Sequence, residues 1–174
     1  GLCVRQATRA HDPGPGDVLV TNHPAFGGSH LPDVTLLCGL FDDQGRRLGF
    51  LANRAHHAEL GGRHPGSMPA DAQSLDQEGV LIPPTWLVRG GEEFLGALEQ
   101  HLAGAPYPSR SPGENRIDLE AQLASLQRGR SLFAALLENY PAGVVREHFH
   151  ACYAEARDAL RSRLLEDPPP PGEA

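Results

Sequence analysis

The stretch from Asp33 to Ala52, DVTLLCGLFDDQGRRLGFLA, decides the fold. Two apolar runs, Asp33 to Phe41 and Leu48 to Ala52, flank the sequence Asp42-Asp43-Gln44-Gly45. A short polar spacer in which Gly takes a positive φ joins antiparallel strands, so the stretch predicts a β-hairpin. Upstream, Pro13-Gly14-Pro15-Gly16 reads as a turn and Asp17 to Thr21 as a short strand. Downstream, Gly79 to Ile82 predicts another strand, stopped at Pro83-Pro84 because proline cannot donate to a ladder. Between them, Gly61 to Gln77 is rich in Gly, Pro, Ser and Asp. It reads as a long ordered loop, a type that in compact domains is often functional.

The second half changes period. Glu92 to Leu102 predicts a short helix, followed by breakers from Gly104 to Gly113. From Asp118, an N-cap or first-turn acid, the residues Leu119, Leu123, Leu126, Phe133, Leu136 and Leu137 recur at helical spacing. Tyr140-Pro141-Ala142-Gly143 breaks the chain. A second long helix then runs from Val144 to about Leu165, with Val145, Phe149, Cys152, Ala156, Ala159 and Leu160 on one stripe. The expected fold is α+β: a β-rich half with a hairpin and a long ordered loop, then an antiparallel helical hairpin. We expect one partial domain over residues 1–174, with a β-rich half at 1–90, a helical half at 91–166 and a Pro-rich tail at 167–174.

Composition narrows the chemistry. No run approaches the roughly 20 apolar residues of a membrane span, and the expected setting is soluble and cytoplasmic. A net charge of -7 without a basic patch gives no footprint for nucleic acid. All 15 basic residues are Arg, so this chain offers no Schiff-base lysine and no phosphate-cradling lysine. Any ATP must be held elsewhere. Cys3, Cys38 and Cys152 are too scattered for a thiolate zinc site or a disulfide framework.

The densest polar cluster is Asn22-His23-Pro24, then Gly27-Gly28-Ser29-His30-Leu31-Pro32-Asp33, then Arg54-Ala55-His56-His57-Ala58-Glu59. The hairpin brings His30 and Asp33, at the entrance of one strand, to the same end as His56 and His57, at the exit of the next. Imidazole with carboxylate suits Mn, Fe or Zn, and three protein ligands leave positions open for water or substrate. Adjacent residues on extended chain face opposite ways, so one of His56 and His57 binds and the other orients. His30, Asp33 and His56 are the first choice of ligands. Glu59 is a candidate acceptor for a ligand's ring N–H or a general base, and with His57 it makes up the catalytic candidates. Asn22, Ser29 and Arg54 are candidate substrate contacts, although Asn22 and Ser29 also suit turns or caps. Trp86 reads as a packing anchor.

These residues resemble the hydantoinase B / 5-oxoprolinase family, which includes N-methylhydantoinase B and the large subunits of acetone and acetophenone carboxylases. The resemblance rests on Gly16-Asp17-Val18, Asn22-His23-Pro24, Gly27 to Asp33, His56-His57-Ala58, Gly61-Gly62, Pro65-Gly66-Ser67-Met68-Pro69 and Glu78 to Pro84. It continues at Asn115-Arg116 and Asp118-Leu119-Glu120-Ala121-Gln122. Departures are Glu59 where Asp is usual, Asn53 where Ser is common, and Arg63-His64 for a smaller pair. The resemblance implies a piece of a longer subunit that opens 5-oxoproline or hydantoin rings, or carboxylates small ketones. It further implies a hetero-oligomer in which a hydantoinase A type subunit or domain binds ATP and phosphorylates the substrate carbonyl. By the same resemblance, His30, Asp33 and either His56 or His57 match metal-binding positions. A non-catalytic fragment that docks on partner subunits through its helices is the reading from a different class.

Overall fold

Five strands form one antiparallel sheet in the order β3-β2-β1-β4-β5. They are β1 (Val18–Thr21), β2 (Asp33–Phe41), β3 (Arg47–His56), β4 (Thr85–Arg89) and β5 (Glu92–Glu93). The computed structural model describes residues 1–66 and 69–167; Ser67, Met68 and all of the expected Pro-rich tail after Asp167 lie outside the described residues. The helices are α1 (Leu2–Ala10), α2 (Leu75–Glu78), α3 (Leu95–Ala103), α4 (Pro112–Asn139) and α5 (Ala142–Glu166). The β-rich first half and helical second half make the chain α+β, as expected.

The hairpin closes as its sequence requires. Asp42 Oδ1 accepts from the N–H groups of Gln44 and Arg46, and Gly45 takes φ +73°. The second strand runs further than its apolar pattern suggests, and its register pairs Asp33 with His56 and Thr35 with Arg54. A strand is extended by its partner's ladder as much as by its own propensity.

Three expectations need correction. Gly79 to Ile82 is not a strand: the buried Asn22 side chain donates to Leu31 O and Val80 O and accepts from Ile82 N–H. One side-chain amide thereby stands in for a ladder. Glu92 belongs to a strand rather than a helix, because Gly90 and Gly91 both take positive φ and join β4 to β5 in a two-residue turn. Helix α4 begins at Pro112, six residues before Asp118, with proline at a first-turn position where its missing N–H costs nothing.

The chain forms two compact units, Gly1–Phe133 and the segment from Ala134 onward. In the first, Val18, Val20, Val34, Leu36 and Cys38 pack with Leu98, Leu102, Leu119, Leu123 and Leu126 of α3 and α4. Each fully buried leucine contributes roughly 1.5 to 3 kcal/mol, so this side of the sheet carries most of the stabilisation. The opposite side has a small cluster of Ala7, Leu19 and Leu37, with Phe50 and Trp86 against it. Trp86 is a packing residue there. In the second unit, Val145 is the buried residue of α5, and Leu160, Leu164 and Leu165 are exposed.

Candidate metal centre

Residue parity along β2 and β3 sorts the site. Asp33 and Thr35 share one face with their cross-strand partners His56 and Arg54. This is the lightly covered side of the sheet. His30, just before β2, joins them, and its ring lies 5.1 Å from that of His56. One ligand atom from each of His30, Asp33 and His56 lies within 4.8 Å of the others.

His56 Nδ1 and Asp33 Oδ1 are 3.0 Å apart and hydrogen-bonded. Two ligands about 2.1 Å from one ion are separated by about 3 Å, so this pair already has the required spacing. His30 supplies the more telling atom. Among the described residues, His30 Nε2 is a buried side-chain nitrogen without a hydrogen-bond partner. Such an orphan costs about 1 to 3 kcal/mol, a cost that a ligand in that place removes. The donor set, two imidazoles and a carboxylate, therefore fits a borderline-to-hard divalent ion.

His57 points the other way. It is fully buried, with Nδ1 2.8 Å from Asn115 Oδ1 and Nε2 3.1 Å from Gln122 Oε1. Both amides are fixed in turn. Asn115 donates to Glu59 O and Ser109 Oγ, and Gln122 donates to Val34 O and Asn53 Oδ1. His57 is thus not brought to the triad, and both its ring nitrogens are occupied. Composition hid these partners, but spacing did not: Asn115 and Gln122 lie seven apart on the stripe that carries Leu119 and Leu126.

Glu59 is equally committed. Its carboxylate accepts from the N–H groups of Gly61, Arg110 and Ser111 and from the Ser109 hydroxyl. Burial pushes its pKa up, but the Ser109 hydroxyl and the three backbone N–H groups outweigh burial and hold it below the usual carboxylate range. Next to it, Gly61 and Gly62 take positive φ, and a Cβ there would strike the backbone of Tyr107 or Glu78. Glu59 thereby ties the loop to the start of α4, as His57 ties the end of β3 to the same helix. Asn22 is buried as described above, and Ser29 is exposed. Arg54 is exposed beside the triad, with Nε donating to Thr35 Oγ1 at 2.9 Å.

An antiparallel sheet backed by helices, with an open two-imidazole, one-carboxylate cluster at one strand end, defines the class of this fold and site. The chain belongs to the hydantoinase B/oxoprolinase family, whose pattern it matches over residues 1–172. It is 42% identical over 157 residues to 5-oxoprolinase 1 of Arabidopsis thaliana, covering 86% of this chain but 12% of that protein. Among solved structures it is similar to the ATP-dependent caprolactamase of Pseudomonas jessenii, with TM-score 0.78 and 24% identity over 97% of this chain and 29% of that one. It also shares its fold with acetone carboxylase, with TM-score 0.65 and 16% identity over 83% of this chain and 18% of that one. The chain thus spans a small fraction of these relatives.

Proposed function

We propose that this chain carries the divalent-metal site of a subunit that opens a cyclic amide, of the 5-oxoproline or hydantoin kind, in an ATP-dependent reaction. The observation that carries this reading is the orphaned His30 Nε2 beside the Asp33–His56 pair. His30, Asp33 and His56 hold the ion, which is Mn, Fe or Zn by donor chemistry. Bound there, a divalent ion would supply Lewis acidity toward a water or toward an oxygen of the activated amide. The chain's own residues hold that place. His57, through Asn115 and Gln122, fixes the end of β3 and so the position of His56, while Glu59 ties the following loop to α4. Neither reacts in this reading. Arg54 and Ser29 face the open side as substrate contacts, and Asn22 supports the floor.

ATP binds on a partner, a hydantoinase A type subunit or domain, because a chain without lysine cannot cradle phosphates in the P-loop manner. The setting is cytoplasmic; among the described residues no helix is long and apolar enough to cross a membrane. The fold shared with acetone carboxylase supports a second reading, a ketone carboxylase subunit on the same scaffold. ATP-dependent release of glutamate from 5-oxoproline tests the first. Turnover is expected from the longer subunit with its ATP-binding partner, lost in Asp33→Ala, and absent from the 174-residue chain alone. Steady turnover by the isolated chain would end the split-chemistry account, and bicarbonate-dependent use of a ketone would favour the carboxylase.

A further inference from the structure

Arg54 stands one cross-strand pair from the Asp33–His56 pair and on the same face, opposite Thr35. Positions two apart on a strand are about 6.5 to 7 Å apart, the span of a small bifunctional molecule. The guanidinium is held at its base. Nε donates to the hydroxyl of the buried Thr35, and Nη2 lies 3.5 Å from Gly27 O. Among the described residues no carboxylate pairs with the guanidinium. The other arginines of the same hairpin are neutralised: Arg46 pairs with Asp42 and Arg47 with Asp12. In a chain of net charge -7, an oriented arginine without an acid beside a cation site is a place for an external anion.

Charge balance points the same way. One carboxylate against a divalent ion leaves the loaded triad positive, and Arg54 adds to that excess. A neutral ligand would not compensate it. We infer that Arg54, oriented by Thr35, and the metal triad form a two-point receptor for a small molecule bearing a carboxylate or phosphoryl group. Its anionic oxygens accept from Arg54 while its other end faces the triad. This rests on the metal reading above and adds a substrate class to it: lactams or activated intermediates that carry an oxyanion, in preference to bare lactams.

Calorimetric titration of the 174-residue chain tests this, with and without Mn2+, using inorganic phosphate, 5-oxoproline and caprolactam as probes. Wild type, Arg54→Gln, Arg54→Lys and Thr35→Val are compared, and Mn2+ affinity is measured separately for each. The expected result is binding of at least one anion to the Mn2+-loaded wild type. That affinity falls at least tenfold in Arg54→Gln and partly in Arg54→Lys and Thr35→Val, while Mn2+ affinity is unchanged. Whether phosphate or 5-oxoproline is the tighter probe tells a phosphoryl from a carboxylate ligand. Equal anion affinity in wild type and Arg54→Gln, or no anion binding by the Mn2+-loaded wild type, would overturn the proposal. If Mn2+ does not bind, the metal reading fails by itself. The metal-free titrations then decide: anion binding lost in Arg54→Gln keeps the arginine site, and its absence in wild type removes it.

Discussion

His56 and His57 are neighbours at the end of β3 that face opposite sides of the sheet. His56 Nδ1 meets Asp33 Oδ1 at 3.0 Å in the open, whereas His57 is buried between Asn115 and Gln122. In the proposed reading the metal site and the core therefore separate across one peptide bond. His57→Ala removes the ring that fills the space between the buried Asn115 and Gln122 amides and should lower unfolding free energy by about 2 to 4 kcal/mol. His56→Ala, at an exposed position, should stay within about 0.5 kcal/mol of wild type. Urea unfolding in metal-free buffer measures both, and the reverse order would show that the two rings have been given each other's roles.

Asn22 substitutes for a missing strand pairing. Asn22→Ala removes hydrogen bonds to Leu31 O, Val80 O and Ile82 N–H, all in the buried interior. The loss should be about 3 kcal/mol, with faster amide exchange at Ile82. An Asn22→Ala chain as stable as wild type would return Asn22 to the list of substrate contacts.

Glu59 predicts an acid dependence. Its carboxyl is held below the usual range, so the folded state favours the charged form. The stability it contributes is fully present above the unfolded value of about 4.3 and is lost as pH falls through the lower folded value. Glu59→Gln should thus be less stable than wild type near neutrality, with the gap closing as pH falls from about 5. Denaturant midpoints of the two proteins across that window measure it. A gap independent of pH would mean that shape, not charge, ties the loop to α4.

Much of this was legible in residue order. Apolar runs on either side of Asp42 to Gly45 predict the central hairpin, which brings Asp33, at the entrance of one strand, to the end where the next strand exits. The same reading brings His30 and His56 together, as the structure does. What could not be read was which polar side chains serve the backbone. Asn22 and Glu59 have the residue types of a reactive site, yet Asn22 spends its side-chain hydrogen bonds on main-chain groups, and Glu59 accepts from the N–H groups of Arg110 and Ser111 and the hydroxyl of Ser109, far along the chain. Those partners are brought near only by tertiary packing. The β4–β5 turn is a different case: Gly90-Gly91 carries a two-residue hairpin signal, but β5 is two residues long and lies beside helical periodicity.

Asp33 is expected to be a ligand rather than a cap. Asp33→Ala should abolish metal binding while unfolding free energy stays the same or rises, because a carboxylate kept for a ligand is not optimal for folding. Circular dichroism and thermal unfolding in chelator-treated buffer check the second half. A chain that unfolds on this substitution would assign Asp33 to the strand entrance instead.

The central claim is the ion itself, and equilibrium dialysis with elemental analysis tests it most directly. Wild type, Asp33→Ala, His56→Ala and His57→Phe are each offered Mn, Fe and Zn after chelation. The account predicts about one ion per wild-type chain, at least tenfold weaker binding in Asp33→Ala and His56→Ala, and a smaller loss in folded His57→Phe, which disturbs the position of His56 but removes no ligand. A folded wild-type chain that stays metal-free with all three, or one whose binding survives both ligand substitutions, would contradict it.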